Sequence, residues 1–243
     1  MKNSTMDKNT NGPASGSSHN TTHPSKLLRA ALVALLLGLA LSTPAQADPL
    51  QTDGHAVASD SILALFQNLY WRWADGELTL PTDRNTNAVV GPVVMMAIPP
   101  TPGDGTPGTQ EVTLKAGQPW MLPLWVLQGT SYTDGTSPDP FVGLSMFKTL
   151  AITFTIDGKT VVSTKNVMDY FSKFRFVPPI PINSPPTDAV IWFEGIGLLH
   201  DALSPGKHTL KLDAKNTEPL PPNFGGGFSE YHNTWNLTVK LGK

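Results

Sequence analysis

Apolar residues fall at helical spacing once, early in the chain, and at strand spacing from there on. Between Ser59 and Ala74 the positions Ile62, Leu65, Phe66, Leu69 and Trp73 lie on one helix face, with Ser59 or Asp60 placed to cap and Gly76 to stop. After Gly76 the pattern breaks into short β-type segments: Val89-Val90, Val93 to Ile98, Glu111 to Leu114, Trp120 to Leu127, Ala151 to Ile156, Val161 to Ser163, Ala189 to Phe193, His208 to Ala214 and Trp235 to Leu241. Asp157-Gly158 separates two of them and predicts a tight hairpin turn with left-handed central residues. Two segments alternate cleanly. His208, Leu210, Leu212 and Ala214 share one side of theirs; Tyr231, Asn233, Trp235, Leu237, Val239 and Leu241 share one side of the last. Both patterns predict strands with one face in the core and one in water. Proline-rich stretches at Pro99–Pro107, Pro178–Pro186 and Pro219–Pro222 predict loops or edge crossings, because proline cannot donate to a ladder. Together these features predict a mainly β chain: an antiparallel β-sandwich, immunoglobulin-like or jelly-roll-like, with one amphipathic N-terminal helix.

The first 47 residues read differently. A polar stretch to residue 25 is followed by Lys26 and Arg29, a 12-residue apolar run from Ala30 to Leu41, and Ala45-Gln46-Ala47. Positive flank, short apolar run and small-residue site predict a secretory signal peptide with a long polar leader, cleaved before Asp48. A spanning helix would need about 20 apolar residues. Residues 48–243 then form a single secreted or periplasmic domain with no integral membrane segment. Four of the 17 basic residues and one of the 19 acidic ones precede Asp48, so the formal charge moves from -2 for the whole chain to -5 for the remainder. That balance argues against nucleic acid as a partner, since phosphate neutralisation needs clustered Lys and Arg. The absence of cysteine excludes disulfides, thiolate metal sites and a cysteine nucleophile.

Candidate chemistry is sparse. The sequence contains no G-x-S-x-G, H-E-x-x-H, phosphate loop or dinucleotide fingerprint. Beyond the leader the histidines are His55, His200, His208 and His232; the last three, with Glu194 and Glu230, lie near the C-terminus. None has the local spacing of a metal pair, so no metal and no cofactor is implied. Glu230-Tyr231-His232 places a carboxylate, a phenol and an imidazole on consecutive residues, the groups for acid–base work on a polysaccharide or ester. On a strand, Glu230 and His232 face one way and Tyr231 the other. Aromatic rings are the remaining candidates, because an exposed π-face stacks on the apolar face of a sugar. Trp73 and Trp235 belong to predicted core faces. Trp71, off the helix stripe, and Trp120, directly after a turn, are expected to be exposed, with Tyr231 as a third ligand-binding candidate. Asn236-Leu237-Thr238 matches a glycosylation sequon in mid-strand and is read as chance.

Taken in order, Tyr70-Trp71-Arg72-Trp73, Ile156-Asp157-Gly158-Lys159, Leu203 to Leu210 (L-S-P-G-K-H-T-L) and the terminal Leu237-Thr238-Val239 resemble an uncharacterised group of exported bacterial β-sandwich proteins. The resemblance implies a secreted β fold and brings no substrate or catalytic residue with it. Two function classes follow. The first is a binding or interaction module for glycan or another envelope component, using Trp71, Trp120 and Tyr231. The second is a secreted polysaccharide- or ester-acting hydrolase or lyase with His200, His208, Glu230 and His232 as acid–base or metal groups. The lack of any catalytic motif and the many Pro- and Gly-rich loops place the binding module first.

Overall fold

The early helical periodicity becomes α1 (Asp60–Ala74), which ends where Gly76 takes a positive φ of 78° and its N–H bonds Trp73 O at 3.1 Å. The computed structural model describes residues 60–82 and 87–242. The leader, the cleavage point before Asp48 and His55 lie outside those residues. Ten strands follow: β1 (Ala88–Val90), β2 (Val93–Met95), β3 (Asp104–Lys115), β4 (Trp120–Tyr132), β5 (Ala151–Ile156), β6 (Lys159–Ser163), β7 (Phe171–Ser184), β8 (Thr187–His200), β9 (Gly206–Lys215) and β10 (Glu230–Lys240). A short helix, α2 (Leu144–Lys148), lies between β4 and β5. Among the described residues, no helix is long and apolar enough to cross a membrane.

The strands form two five-stranded sheets, ordered β1-β2-β4-β8-β7 and β3-β10-β9-β5-β6. Both are mixed, which corrects the expectation of a purely antiparallel fold: β2 runs parallel to β4, and β3 parallel to β10. The cause is the path of the chain. Because β3 belongs to the other sheet, the up–down–up course β2–β3–β4 returns to the first sheet in the direction in which it left. Leu122, Leu124, Trp125, Ile196 and Leu198 of the first sheet meet Val112, Leu114, Ile152, Phe154, Leu210, Leu212, Trp235 and Leu237 of the second in one buried cluster. Burying each large apolar side chain contributes about 1.5–3 kcal/mol, and no cysteine staple is present to help.

The other face of the first sheet is covered by α1, so β8 is buried along most of its length. Gly197 makes that contact close: a Cβ there would lie 2.8 Å from Gln67 Cδ. Gln67 Nε2 donates to Ser172 Oγ of β7. Arg72 Nη2 donates to Pro178 O at 2.7 Å, and the Trp71 ring stands 6.3 Å from that of Phe193. The buried side of α1 is therefore Leu63, Phe66, Gln67, Leu69 and Tyr70, about one residue away from the stripe that spacing predicts. A buried glutamine breaks the apolar pattern and hides the true face; Ile62, Leu65 and Trp73 are half-buried.

β7 has no counterpart among the predicted segments. It carries Pro178, Pro179 and Pro181, and its pairing with β8 shifts between Arg175 and Ile180. It survives as a strand because it is an edge: only one side of its backbone needs a ladder. Pro107 sits in β3, the edge of the other sheet, for the same reason. The Asp157-Gly158 turn forms as predicted, with φ of 51° and 81°. The alternations of β9 and β10 are observed from Leu210 to Val239, with Leu210, Leu212, Ala214, Asn233, Trp235, Leu237 and Val239 buried, but Leu241, expected on the same row, lies past the end of β10 at Lys240 and is 75% exposed.

Candidate functional site

Two of the three aromatic candidates converge. Trp71 from α1 and Tyr231 from β10 line one cleft of about 220 Å³, together with Pro99 from the β2–β3 connection, Pro123 and Trp125 of β4, and Asn233 of β10. The cleft exists because β2 is short. It pairs only with Trp120 and Met121, so the flank of β4 from Pro123 onward has no β2 residue beside it. There the connection to β3 crosses between the sheets, anchored where Trp235 Nε1 donates to Ala97 O at 2.9 Å. Tyr231 lies over Gly103, where a Cβ would stand 2.8 Å from its hydroxyl oxygen, so only glycine leaves room for the ring. Burial pushes the Tyr231 phenol up, against a hydrogen bond with Ser229 that acts downward. The polar groups of the cleft are few. Thr101 Oγ1 donates to Asn233 Oδ1 at 3.4 Å, and the Trp71 indole N–H is buried with no partner among the described residues.

Trp120, the third candidate, corrects the expectation of an exposed ring. It is fully buried as the first residue of β4, and its indole stacks on the imidazole of its cross-strand partner His200, 5.0 Å away and 16° from parallel. A turn precedes it, but the side chain points into the core.

The histidines do not gather. His200 ends β8, with Nδ1 2.8 Å from Asp201 O. His208 sits on the core-side row of β9; its Nδ1 is 2.7 Å from Asp157 Oδ2 and its Nε2 2.8 Å from Ser204 O. Burial pushes this imidazolium down, but Asp157 and the Ser204 carbonyl outweigh that and the net shift is upward. His232 pairs with Asp213, five residues further along β9 and on the opposite face, roughly 17 Å away at strand rise. No group of three or more His, Asp or Glu among the described residues is placed to hold a metal.

His232 and Glu230 do meet, as strand parity predicts, on the outer face of the second sheet. His232 Nδ1 is 2.7 Å from Asp213 Oδ1 and Nε2 is 3.1 Å from Glu230 Oε1, while Lys215 Nζ is 2.8 Å from Glu230 Oε2. Asp213 first, then Glu230, raise the His232 pKa; Lys215 and His232 hold Glu230 below the usual carboxylate range. The four side chains line an open depression of about 300 Å³ with Thr153 and Ala151 of β5. Both ring nitrogens face carboxylates of the protein itself, so the ring presents no nitrogen to a substrate. Tyr231 points away, into the cleft.

Two carboxylates that spacing does not single out as structural hold the loop between β4 and β5. Asp139 accepts from Thr130 N and Oγ1, both at 2.9 Å, from Tyr132 Oη at 3.1 Å and from Asn223 Nδ2 at 2.9 Å. Its backbone O accepts from Trp192 Nε1 at 2.8 Å, and the Trp192 indole packs on Gly129. Glu194, a metal-ligand candidate by residue type, is fully buried; its Oε2 accepts from Val142 N at 2.8 Å and Lys173 Nζ lies 2.9 Å from Oε1. The one local signal for Asp139 is its place between Pro138 and Pro140.

No family model and no curated protein matches the chain. Among solved structures it is similar to a chain of "Structure of PbICP-C in complex with falcipain-2", at 12% identity, covering 62% of this chain and 98% of that chain, with a TM-score of 0.23. At that TM-score the likeness carries no argument about fold or partner.

Proposed function

We propose that the chain is an exported binding module with an immunoglobulin-like sandwich, taking a glycan of the cell envelope in the cleft of Trp71 and Tyr231. Strand order supports the immunoglobulin-like reading: β4-β8-β7 in one sheet and β10-β9-β5 at the centre of the other follow the B-E-D and G-F-C orders of such domains. The leader pattern of residues 26–47 supports export. The observation that carries the binding reading is the convergence of the Trp71 ring of α1 and the Tyr231 ring of β10 in one hollow. Aromatic walls accept the apolar face of a sugar, and the half-buried Thr101 brings a hydroxyl to the same hollow.

The second reading, a hydrolase or lyase, has the His232–Glu230 pair in its favour. Against it stand the engagement of both ring nitrogens and the separation of His200 and His208 from that pair. Intrinsic fluorescence titration with chito-, cello- and manno-oligosaccharides tests the two together. Saturable binding, lost on Trp71→Ala, with no product after prolonged incubation, is the expected result. Product formation that disappears on His232→Ala would replace the binding reading with the enzyme.

A further inference from the structure

The side chain of His232 has acceptors on both sides. Nδ1 faces Asp213 and Nε2 faces Glu230, at 2.7 and 3.1 Å. A carboxylate can only accept, so each contact needs a proton on the ring nitrogen, and only the imidazolium carries two. A neutral ring keeps one. The contact to Asp213 is the shorter, and Glu230 has Lys215 as an alternative partner. Loss of the proton therefore opens the Glu230 side.

Glu230 immediately precedes Tyr231, and its attachment on the other flank is thin. Pairing of β10 with β3 is irregular between Glu230 and His232, and His232 faces Pro107, which has no N–H. The backbone tie there is Glu230 N to Gly103 O, at 2.7 Å, beneath the Tyr231 ring. Thus one short segment carries the imidazolium contacts on its outer side and a wall of the cleft on its inner side.

We propose that His232 is a proton-controlled clasp that sets the position of Tyr231, so that the cleft is held closed on its ligand in mildly acidic medium and loosens as the ring becomes neutral. This rests on the cleft being the ligand site. The charged groups around the ring are Asp213, Lys215 and, one row further on, Lys211 from β9; Glu230 from its own strand; and Asp104 of β3 opposite Glu230. From β5, Ala151 and Thr153 bring no charge. Two carboxylates lie in direct contact with the ring while the nearest ammonium is bound to one of them, so the surroundings favour the imidazolium.

The test needs no ligand, which keeps its failure distinct from failure of the binding reading. The full chain, with ¹³C-labelled tyrosine and ¹⁵N-labelled histidine, is titrated from pH 5 to 9 by NMR, the Tyr231 ring being assigned with Tyr231→Phe. The expected result is a shift of the Tyr231 ring signal with the midpoint of His232, accompanied by about tenfold faster amide exchange at Tyr231 beyond the intrinsic pH effect. Glu230→Gln separates a clasp from a mere field effect. Its amide can donate to the unprotonated ring nitrogen, so the Tyr231 step should vanish while His232 still titrates. A Tyr231 signal that stays flat through the His232 midpoint in the wild-type chain, or a step that persists in Glu230→Gln, would overturn the proposal.

Discussion

Asp139 carries four donors on one carboxylate, and their combined hydrogen bonds prevail over burial, which acts to raise its pKa, so the net shift is downward. Removing it leaves Thr130, Tyr132 and Asn223 without their acceptor. Asp139→Ala is expected to cost about 3 kcal/mol in urea unfolding, the scale of a lost buried network. His208 gives the opposite pH response. Its folded pKa is raised, so the stability it contributes is fully present below about pH 6.5, its unfolded value, and is lost as pH rises through the folded value. Asp157, held down in the folded state by His208 and Thr209 N–H against burial, contributes above its unfolded value near pH 4 and loses that contribution on acidification. The melting temperature of the wild-type chain should therefore peak between roughly pH 4.5 and 6.5, and His208→Gln should flatten the alkaline side of that curve. A curve of unchanged shape in His208→Gln would remove the imidazolium from the stability account.

At the scale of elements, the legible parts of the chain were those whose local pattern agrees with their environment. β5 and the Asp157-Gly158 turn match their predicted bounds, and β9 and β10 bury the inner positions of their alternation, with His208 and Tyr231 half-buried at the strand starts and Leu241 exposed past the end. β7 was not legible, since its prolines look like a loop until its place at a sheet edge is known. The face of α1 was displaced by Gln67, whose buried position depends on the missing side chain at Gly197 in β8, a contact with no local signature. Trp71 and Tyr231 were each visible as candidates, but their meeting was not, because it requires the sheet crossing between β2 and β3. The α1 contact makes its own prediction. Gly197→Val should push Gln67 away and raise hydrogen exchange in residues 60–74 by tenfold or more, about 1.4 kcal/mol, while β9 and β10 keep their protection. Uniform loss of protection would mean that α1 is not a separable layer.

For the molecule as a whole, the two sheets close on one core without a disulfide, and the Trp71–Tyr231 cleft lies at its margin, with Trp125 shared between the two. The outer face of the second sheet carries the charges, and the junction of α1, β4 and β10 carries the aromatic cleft. The proposed ligand site is this junction and not the charged face. Calorimetric titration of the best oligosaccharide from the fluorescence screen, at pH 5.5, into wild-type, Tyr231→Ala and Lys211→Ala proteins tests it most directly. Affinity weakened by about tenfold or more in Tyr231→Ala, the worth of a stacked ring, and unchanged in Lys211→Ala is the expected result. Affinity retained in Tyr231→Ala and lost in Lys211→Ala would contradict it.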